Sequence, residues 1–366
     1  MKTVIQVVQH LRPGGIETLV LDLLLFSPKD EKTIILSLEG DMESAIQNWP
    51  KLSIYRENLC FVDKKPGISL ALLSTLIKIF NKHSVTAVHT HHIGPLLYSG
   101  LAARLCGIKH LTHTEHDAWH LNNKKRCLLQ RVAIKMLKPT LVADAQTVAD
   151  NMRQKLKCKN PITVIRNGIN SQQFIPGDQR TARKLLNLPK NVPMIGCSGR
   201  METVKGQHVL IHALNILPIT IHIAFAGSGS KESELRALSD KLGLTERVHF
   251  IGHTDQMPTF YQALDVFCLP SLNEGFPLSP LEAQACNIQT LVTDVGASKE
   301  TLCPHSGQHV PANDPQKMAK ALFDMLKNPT IEKPRDFVTQ QGDVKTMAIA
   351  YANLRNKGVI EGACYE

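Results

Sequence analysis

Apolar residues in this chain recur with two spacings. Short runs at 4–8, 33–37, 86–89, 110–113, 141–143 and 162–165 are rich in apolar and β-branched residues and predict strands. Between them, 16–26 and 68–81 carry apolar residues at helical spacing, and a further helix is expected near 95–105. A second series of runs at 193–197, 219–226, 248–250, 266–269 and 290–293 alternates with helical segments, and a last helix is expected over 334–357. Strands alternating with helices predict parallel sheets with helices on both faces, so the fold class is α/β. The stretch from 167 to 193, rich in Gly, Asn, Gln and Pro, predicts a linker between two α/β halves. The expected domains are 1–168, a linker at 169–192, 193–333, and a C-terminal segment at 334–366.

Length and composition fit that picture. A chain of 366 residues suggests two or three domains, and 43% apolar with 20% charged residues is ordinary for a globular protein. Nine cysteines are scattered without a C-x-x-C pair, which argues against a zinc ribbon or a disulfide framework and predicts reduced thiols. No apolar run reaches 18 residues, and Asp22 interrupts the best candidate at 19–26. The first nine residues have polar interruptions and no cleavage site, so a cytoplasmic setting is expected. Charge is uneven. Residues 1–165 hold 22 Lys and Arg against 13 Asp and Glu, whereas the remainder holds 20 against 19. A basic first half implies a negatively charged partner. No nucleic-acid-binding signature accompanies it, so nucleic acid is not expected. An anionic membrane surface or a phosphorylated acceptor fits better.

Candidate chemistry concentrates in the second half. In 271–282, Ser-Leu-Asn-Glu-Gly-Phe-Pro-Leu-Ser-Pro-Leu-Glu, a loop carries Glu274 and a helix carries Glu282. Ser279 is the expected N-cap, Pro280 the first helical residue and Glu282 the third, as in a capping box. Free N–H groups at such a helix start attract anions, although a cap serves structure alone just as well. Arg200 and Lys205 follow the strand at 193–197 and can clamp a pyrophosphate, the alternative being two solvated surface cations. The loop Arg12-Pro13-Gly14-Gly15 leaves the first strand ahead of a helix, where the glycines let backbone N–H groups approach a ligand. Neither it nor Gly227-Ser228-Gly229 completes G-x-G-x-x-G, which disfavours a nicotinamide dehydrogenase.

Two further features stand in the first half. Histidines cluster at 89, 91, 92, 110, 113, 116 and 120 around Glu115 and Asp117. A metal site is one reading, but His113, Glu115 and His116 do not form H-E-x-x-H, and strand-end hydrogen bonds are the simpler account. The segment 118–138 interleaves Lys124, Lys125, Arg126, Arg131, Lys135 and Lys138 with apolar residues. It reads either as an ordinary outer helix with its Leu face in the core or as a basic amphipathic helix for an anionic membrane.

Taken in order, Gly14-Gly15-Ile16-Glu17, Asn167-Gly168-Ile169, Gly199-Arg200 with Lys205-Gly206, Gly227-Ser228-Gly229, 248–252 and the Glu274/Glu282 pair resemble the retaining GT-B glycosyltransferases of family 4 over about residues 3–327. Asn170, Asn287, Gln289 and Gly296-Ala297 depart from frequent family residues without removing a charged group. The resemblance implies two Rossmann-like doubly wound domains facing across a cleft, with the C-terminal helix crossing back to the first. It implies transfer of a sugar from a nucleotide diphosphate sugar, a UDP-sugar foremost, to a glycan or lipid-linked acceptor in surface polysaccharide assembly at the cytoplasmic membrane face. No cofactor and no metal are expected, the nucleotide sugar being a co-substrate. Implied catalytic residues are Arg200, Lys205, Glu274 and His113, the last as the strand-end histidine facing the sugar. Implied donor contacts are Gly15, Gly227, Gly252, Gly275, Phe276, Pro277, Leu278 and Glu282; implied acceptor contacts are Gly14, Glu115 and His116. Alternatives are a GT-B enzyme for a small soluble acceptor, a sugar-nucleotide epimerase, a non-catalytic sugar-nucleotide scaffold, and a nucleic-acid-binding protein.

Overall fold

The computed structural model describes residues 1–357 except 66, 68, 70, 118, 158, 159, 331 and 332. The expected frayed tail at 358–366, with Cys364, and Cys158 lie outside the described residues, as do the expected starts at 68 and 118. The chain forms two compact units, one of Met1–Gly168 with the helix that starts at Val344, the other of Ile169–Asp343.

The first unit is built on seven strands, β1 (Lys2–Val8), β2 (Glu31–Ser37), β3 (Leu59–Phe61), β4 (Ala87–His91), β5 (His110–Glu115), β6 (Thr140–Ala143) and β7 (Ile162–Val164). They pair in parallel in the order β3-β2-β1-β4-β5-β6-β7. The second has six strands, β8 (Met194–Ser198), β9 (His222–Ala226), β10 (Val248–Gly252), β11 (Val266–Leu269), β12 (Gln289–Thr293) and β13 (Gln308–Val310), ordered β10-β9-β8-β11-β12-β13 and again parallel. Both are doubly wound α/β sheets. Chain order reverses between β1 and β4 in one, and between β8 and β11 in the other.

Strands such as β9 and β11, buried almost throughout, read as near-continuous apolar runs, whereas β4 and β5 carry buried His and Thr side chains. In the second unit Ile195, Ile223 and Phe225 pack with Val209, Leu210 and Leu214 of the helix Gln207–Ile216 and with Met318 and Leu322 of Pro315–Lys327. In the first, Leu19 and Leu23 of the helix Gly15–Leu25 join Val142 and Ile165 against Met347, Tyr351 and Leu354 of Val344–Lys357. Each such side chain contributes about 1.5–3 kcal/mol by leaving water. The returning C-terminal helix is therefore part of the first unit's core.

Several expected boundaries move. Residues 334–357 form two helices, Pro334–Gln341 and Val344–Lys357. Between them the Gly342 carbonyl accepts from Ile169 N at 2.8 Å and Asp343 bridges Ile169, which ends the first helix. Arg335 ties that helix to the second unit by donating to the carbonyls of Phe174, Ala285 and Ser171. The expected C-terminal segment 334–366 is thus divided at 343. The expected linker 169–192 holds the helix Gln179–Leu185, and Arg183 bonds Asp265 at 2.7 Å, so it belongs to the second unit as well. The strand expected from 219 begins at His222, because Ile221 N closes a turn onto Pro218 O. The seven described cysteines are free.

Candidate active site

Open α/β sheets bind ligands beyond the carboxyl ends of their strands, where strand order reverses. In the second unit the loops at that point follow β8 and β11. The first carries Gly199, the exposed Arg200, a turn of 3-10 helix at Thr203–Lys205, and Gly206. The second carries 270–278. Lys205 Nζ lies 2.6 Å from Glu274 Oε1, and the Ser271 hydroxyl donates to the same oxygen at 2.6 Å. Glu274 is only 7% exposed, so a nearly dry carboxylate is held by one ammonium and one hydroxyl. No hydrogen bond among the described residues engages its Oε2, and none engages the Arg200 guanidinium.

Backbone contact between loops sets this geometry. Gly206 has φ +64°, and a Cβ there would sit 2.1 Å from Pro270 O. Leu272 N donates to Val204 O at 2.8 Å, sealing the same two loops. Gly227 has φ +131°, a Cβ there would meet Gly199 O at 2.2 Å, and its N–H donates to the Gly252 carbonyl. The Gly275 carbonyl accepts from Ala297 N, and Phe276 and Pro277 are buried beside it. Glu282 accepts from Tyr261 Oη at 2.6 Å, and Ser198 Oγ lies 3.0 Å from that phenol. Burial, then the Glu282 charge, holds the Tyr261 phenol well above its ordinary range, so it stays a donor. The expected capping box is corrected. Leu278 is the N-cap and Ser279 the first residue of the helix Ser279–Ala285, because Leu278 already has near-helical dihedrals at φ −86°, ψ −29°.

In the first unit the reversal lies between β1 and β4. Gly14 caps the helix Gly15–Leu25 with extended backbone at φ −171°, which any residue adopts, so the freedom of glycine is not what the fold needs there. A Cβ at Gly15 would meet nothing within 4 Å. His113 is corrected as the strand-end histidine. It is fully buried inside β5, its Nδ1 3.0 Å from Thr90 Oγ1, and the strand continues to Glu115. His116 is the residue leaving the strand.

The buried histidines form a continuous chain. Gln6 Oε1 lies 3.0 Å from His91 Nε2, His91 Nδ1 2.9 Å from His116 Nε2, and His116 Nδ1 3.2 Å from Asp144 Oδ2, to which Asn167 Nδ2 donates at 2.9 Å. Burial, then the His89 charge, pushes His91 well below the usual imidazole range. Burial lifts the Asp144 carboxyl to about 6 against the pull of His116. Glu115 is completely buried. Gln130 Nε2 donates to its Oε2 at 2.6 Å, with His113 Nε2 at 3.5 Å and His120 Nε2 at 3.6 Å. Burial raises its pKa, but the His113 hydrogen bond and the His charges bring it below the ordinary value. For His120 burial is likewise outweighed, by the hydrogen bond to Asp117 and the Glu115 charge, and the ring is pushed up to about 9. Glu115 therefore orients rings instead of meeting solvent. Among the described residues no group of three or more His, Cys, Asp or Glu is placed to hold a metal ion. Gln6, Asp144 and Tyr261 were not singled out from the sequence, because each meets its partner through folding alone; Asn167 and Ser271 entered only as parts of the 167–169 and 271–282 segments, without their roles as hydrogen-bond partners of Asp144 and Glu274.

Thus Lys205 and Glu274 come into contact, Arg200 sits on the same loop as Lys205, and Glu282 is held separately by Tyr261. No described helix is long and apolar enough to cross a membrane.

Comparison with known proteins bears on the family and the fold. Residues 13–173 match the profile of Glycosyltransferase Family 4, and residues 178–342 that of Glycosyl transferases group 1. A D-inositol 3-phosphate glycosyltransferase of Corynebacterium urealyticum is 32% identical over 51% of this chain and 46% of its own length. The lipopolysaccharide core biosynthesis mannosyltransferase LpsB of Rhizobium meliloti is 35% identical over 48% of this chain and 52% of its own. The chain spans about half the length of these curated relatives. The crystal structure of Anabaena Alr3699/HepE in complex with UDP is 18% identical and aligns with a TM-score of 0.85 over 97% of this chain and 100% of that one, which shows a shared fold. With both profiles matched in order on two doubly wound sheets, the chain belongs to the GT-B glycosyltransferases of the family 4, group 1 type.

Proposed function

We propose that this protein transfers a sugar from a nucleotide diphosphate sugar to a glycan or lipid-linked acceptor in cell-surface polysaccharide assembly, with retention at the anomeric carbon and without a metal. The observation that carries the donor assignment is the Lys205–Glu274 pair at the strand-order reversal of the second unit, with the exposed Arg200 guanidinium on the same loop. Two cations at that edge suit a diphosphate, and Glu274 Oε2 suits a sugar hydroxyl. UDP bound in the Anabaena structure favours the uridine class, and the name of the Rhizobium relative favours a lipopolysaccharide-type acceptor.

In this reading the bond between the anomeric carbon and the phosphate oxygen breaks, and the diphosphate leaves with the electron pair. Arg200 and Lys205 neutralise the charge growing on it. The acceptor oxygen bonds to the same face, and its proton passes to the leaving phosphate oxygen, so no enzymic nucleophile is needed. Glu282 holds the ribose hydroxyls while Tyr261 fixes its rotamer. Gly14 and His116 serve the acceptor side, with Glu115 positioning His113 and His120.

Thermal melting against UDP-, GDP- and ADP-sugars tests the donor assignment, because a ligand of the folded state raises the melting temperature. A rise with one nucleotide class that disappears in Lys205→Ala is expected. No rise with any nucleotide would overturn the donor assignment and move weight to a nucleic-acid reading.

A further inference from the structure

Hydrogen-bond polarity runs in one direction along the buried chain from Gln6 to Asn167. The amide oxygen Oε1 of Gln6 only accepts, so His91 Nε2 donates to it at 3.0 Å. A neutral imidazole carries one N–H, so His91 Nδ1 is left as an acceptor and His116 Nε2 donates to it at 2.9 Å. That uses the single N–H of a neutral His116. Its Nδ1 then turns a lone pair toward Asp144 Oδ2, 3.2 Å away, an oxygen that also accepts from Asn167 Nδ2 at 2.9 Å. Two acceptors make no bond. The contact closes only with one further proton between His116 Nδ1 and Asp144 Oδ2.

A second observation points the same way. Asp144 is 1% exposed, and its Oδ1 has no hydrogen-bond partner among the described residues. An unpaired carboxylate in that place would keep a charged oxygen desolvated, whereas one shared proton leaves the pair without net charge. Burial, which lifts the Asp144 carboxyl to about 6, acts in the same direction. The groups facing the pair offer no substitute for that proton. Burial holds His89 and His91 of β4 well below the usual imidazole range and brings His92 down to about 4. Glu115 and Asp117 add negative charge, which favours keeping the proton. On the helix Val344–Lys357, burial keeps the Tyr351 phenol un-ionised, and Arg355 is paired with Glu31.

With both nitrogens engaged, His116 has no lone pair to offer a substrate. What it presents just past β5 is a ring fixed in place, with a charge set by the pair. We propose that Asp144 is a positioning residue for sugar transfer: it shares one proton with His116, and that proton locks the His116 ring on the acceptor side. The role in transfer rests on the acceptor-side reading of His116, whereas the shared proton does not.

Side-chain NMR of the full chain, with isotope-labelled histidine, tests the proton without any substrate. Between about pH 5 and 8 the His91 and His116 rings should change together in one step, because a proton leaving the pair disturbs both bonds. Asp144→Asn should abolish that step, since an amide cannot share the proton. Asn167→Ala should move it to higher pH, since the ionised carboxylate loses a donor, and this variant carries the test if Asp144→Asn does not fold. Release of nucleoside diphosphate from the sugar nucleotide, with acceptor present, tests the role. In wild type, release should fall through the same step with KM for the sugar nucleotide unchanged. In Asp144→Asn it should be slower and flat over that range. No step in wild type, with the His116 proton on Nδ1 throughout, would mean that the Gln6 amide is turned and the chain runs the other way without the extra proton, which would overturn the proposal. Separate titration of the two rings, a step unchanged in Asp144→Asn or Asn167→Ala, or release that ignores the step would overturn it as well. Release absent at every pH would defeat the sugar-transfer reading instead, and the spectra would still decide the shared proton.

Discussion

At the scale of single residues, the chemistry depends on how charge is held. Glu115, fully buried, and Asp117 keep His120 protonated up to about pH 9. A histidine whose folded pKa exceeds its unfolded value, ordinarily about 6.5, stabilises fully below that value and loses the contribution as pH rises through 9. The melting temperature should therefore fall between pH 6.5 and 9.5, and His120→Gln should flatten that part of the profile. An unchanged slope in the variant would remove His120 from the account. Arg200, Lys205 and Glu274 were legible in the sequence because each stands just past an apolar run. The chain Gln6–His91–His116–Asp144–Asn167 was not, since its members come from β1 and from the carboxyl ends of β4, β5, β6 and β7, and bonded neighbours lie up to 85 positions apart. His113 was misplaced for a related reason: where β5 ends is decided by its pairing of Glu115 with Ala143 on β6, which no local pattern reveals.

At the scale of elements, loops at the donor edge are fixed by backbone approach. Gly206→Ala would force a side chain at φ +64° and put its Cβ 2.1 Å from Pro270 O. Left-handed strain alone costs about 1–2 kcal/mol, and the clash adds to it. The variant should melt several degrees lower and lose nucleotide-dependent stabilisation, because the displaced loop carries Lys205. Retained stabilisation would show that Lys205 does not depend on the contact. Strand and helix alternation was readable from apolar spacing, down to the six strands of the second sheet except β13. Helix starts were less so: Ser279 and Leu278 differ only in backbone dihedrals, which composition does not report. For the helix Lys124–Leu137 amphipathicity was visible, but not which side would be buried; Gln130 faces inward because Glu115 and His120 wait there as partners.

At the scale of the whole molecule, the first unit is discontinuous in sequence. The helix Val344–Lys357 supplies Met347, Tyr351 and Leu354 to its core, and the Tyr351 hydroxyl lies 3.0 Å from Thr114 Oγ1. Tyr351→Ala should cost about 3–5 kcal/mol, as large-to-small core changes do. Hydrogen exchange should report it as faster exchange across 1–168, with 169–343 unchanged; acceleration confined to the second unit would contradict the assignment. The central claim, sugar transfer driven by Arg200 and Lys205 at the donor edge, is tested most directly by the release of nucleoside diphosphate from the sugar nucleotide that stabilises the protein. Wild type should release it faster when an acceptor glycan is added, and Lys205→Ala should slow release about 10²–10³-fold, the loss typical of one transition-state charge partner. Release by Lys205→Ala at the wild-type rate, or none by wild type in the presence of acceptor, would contradict the account.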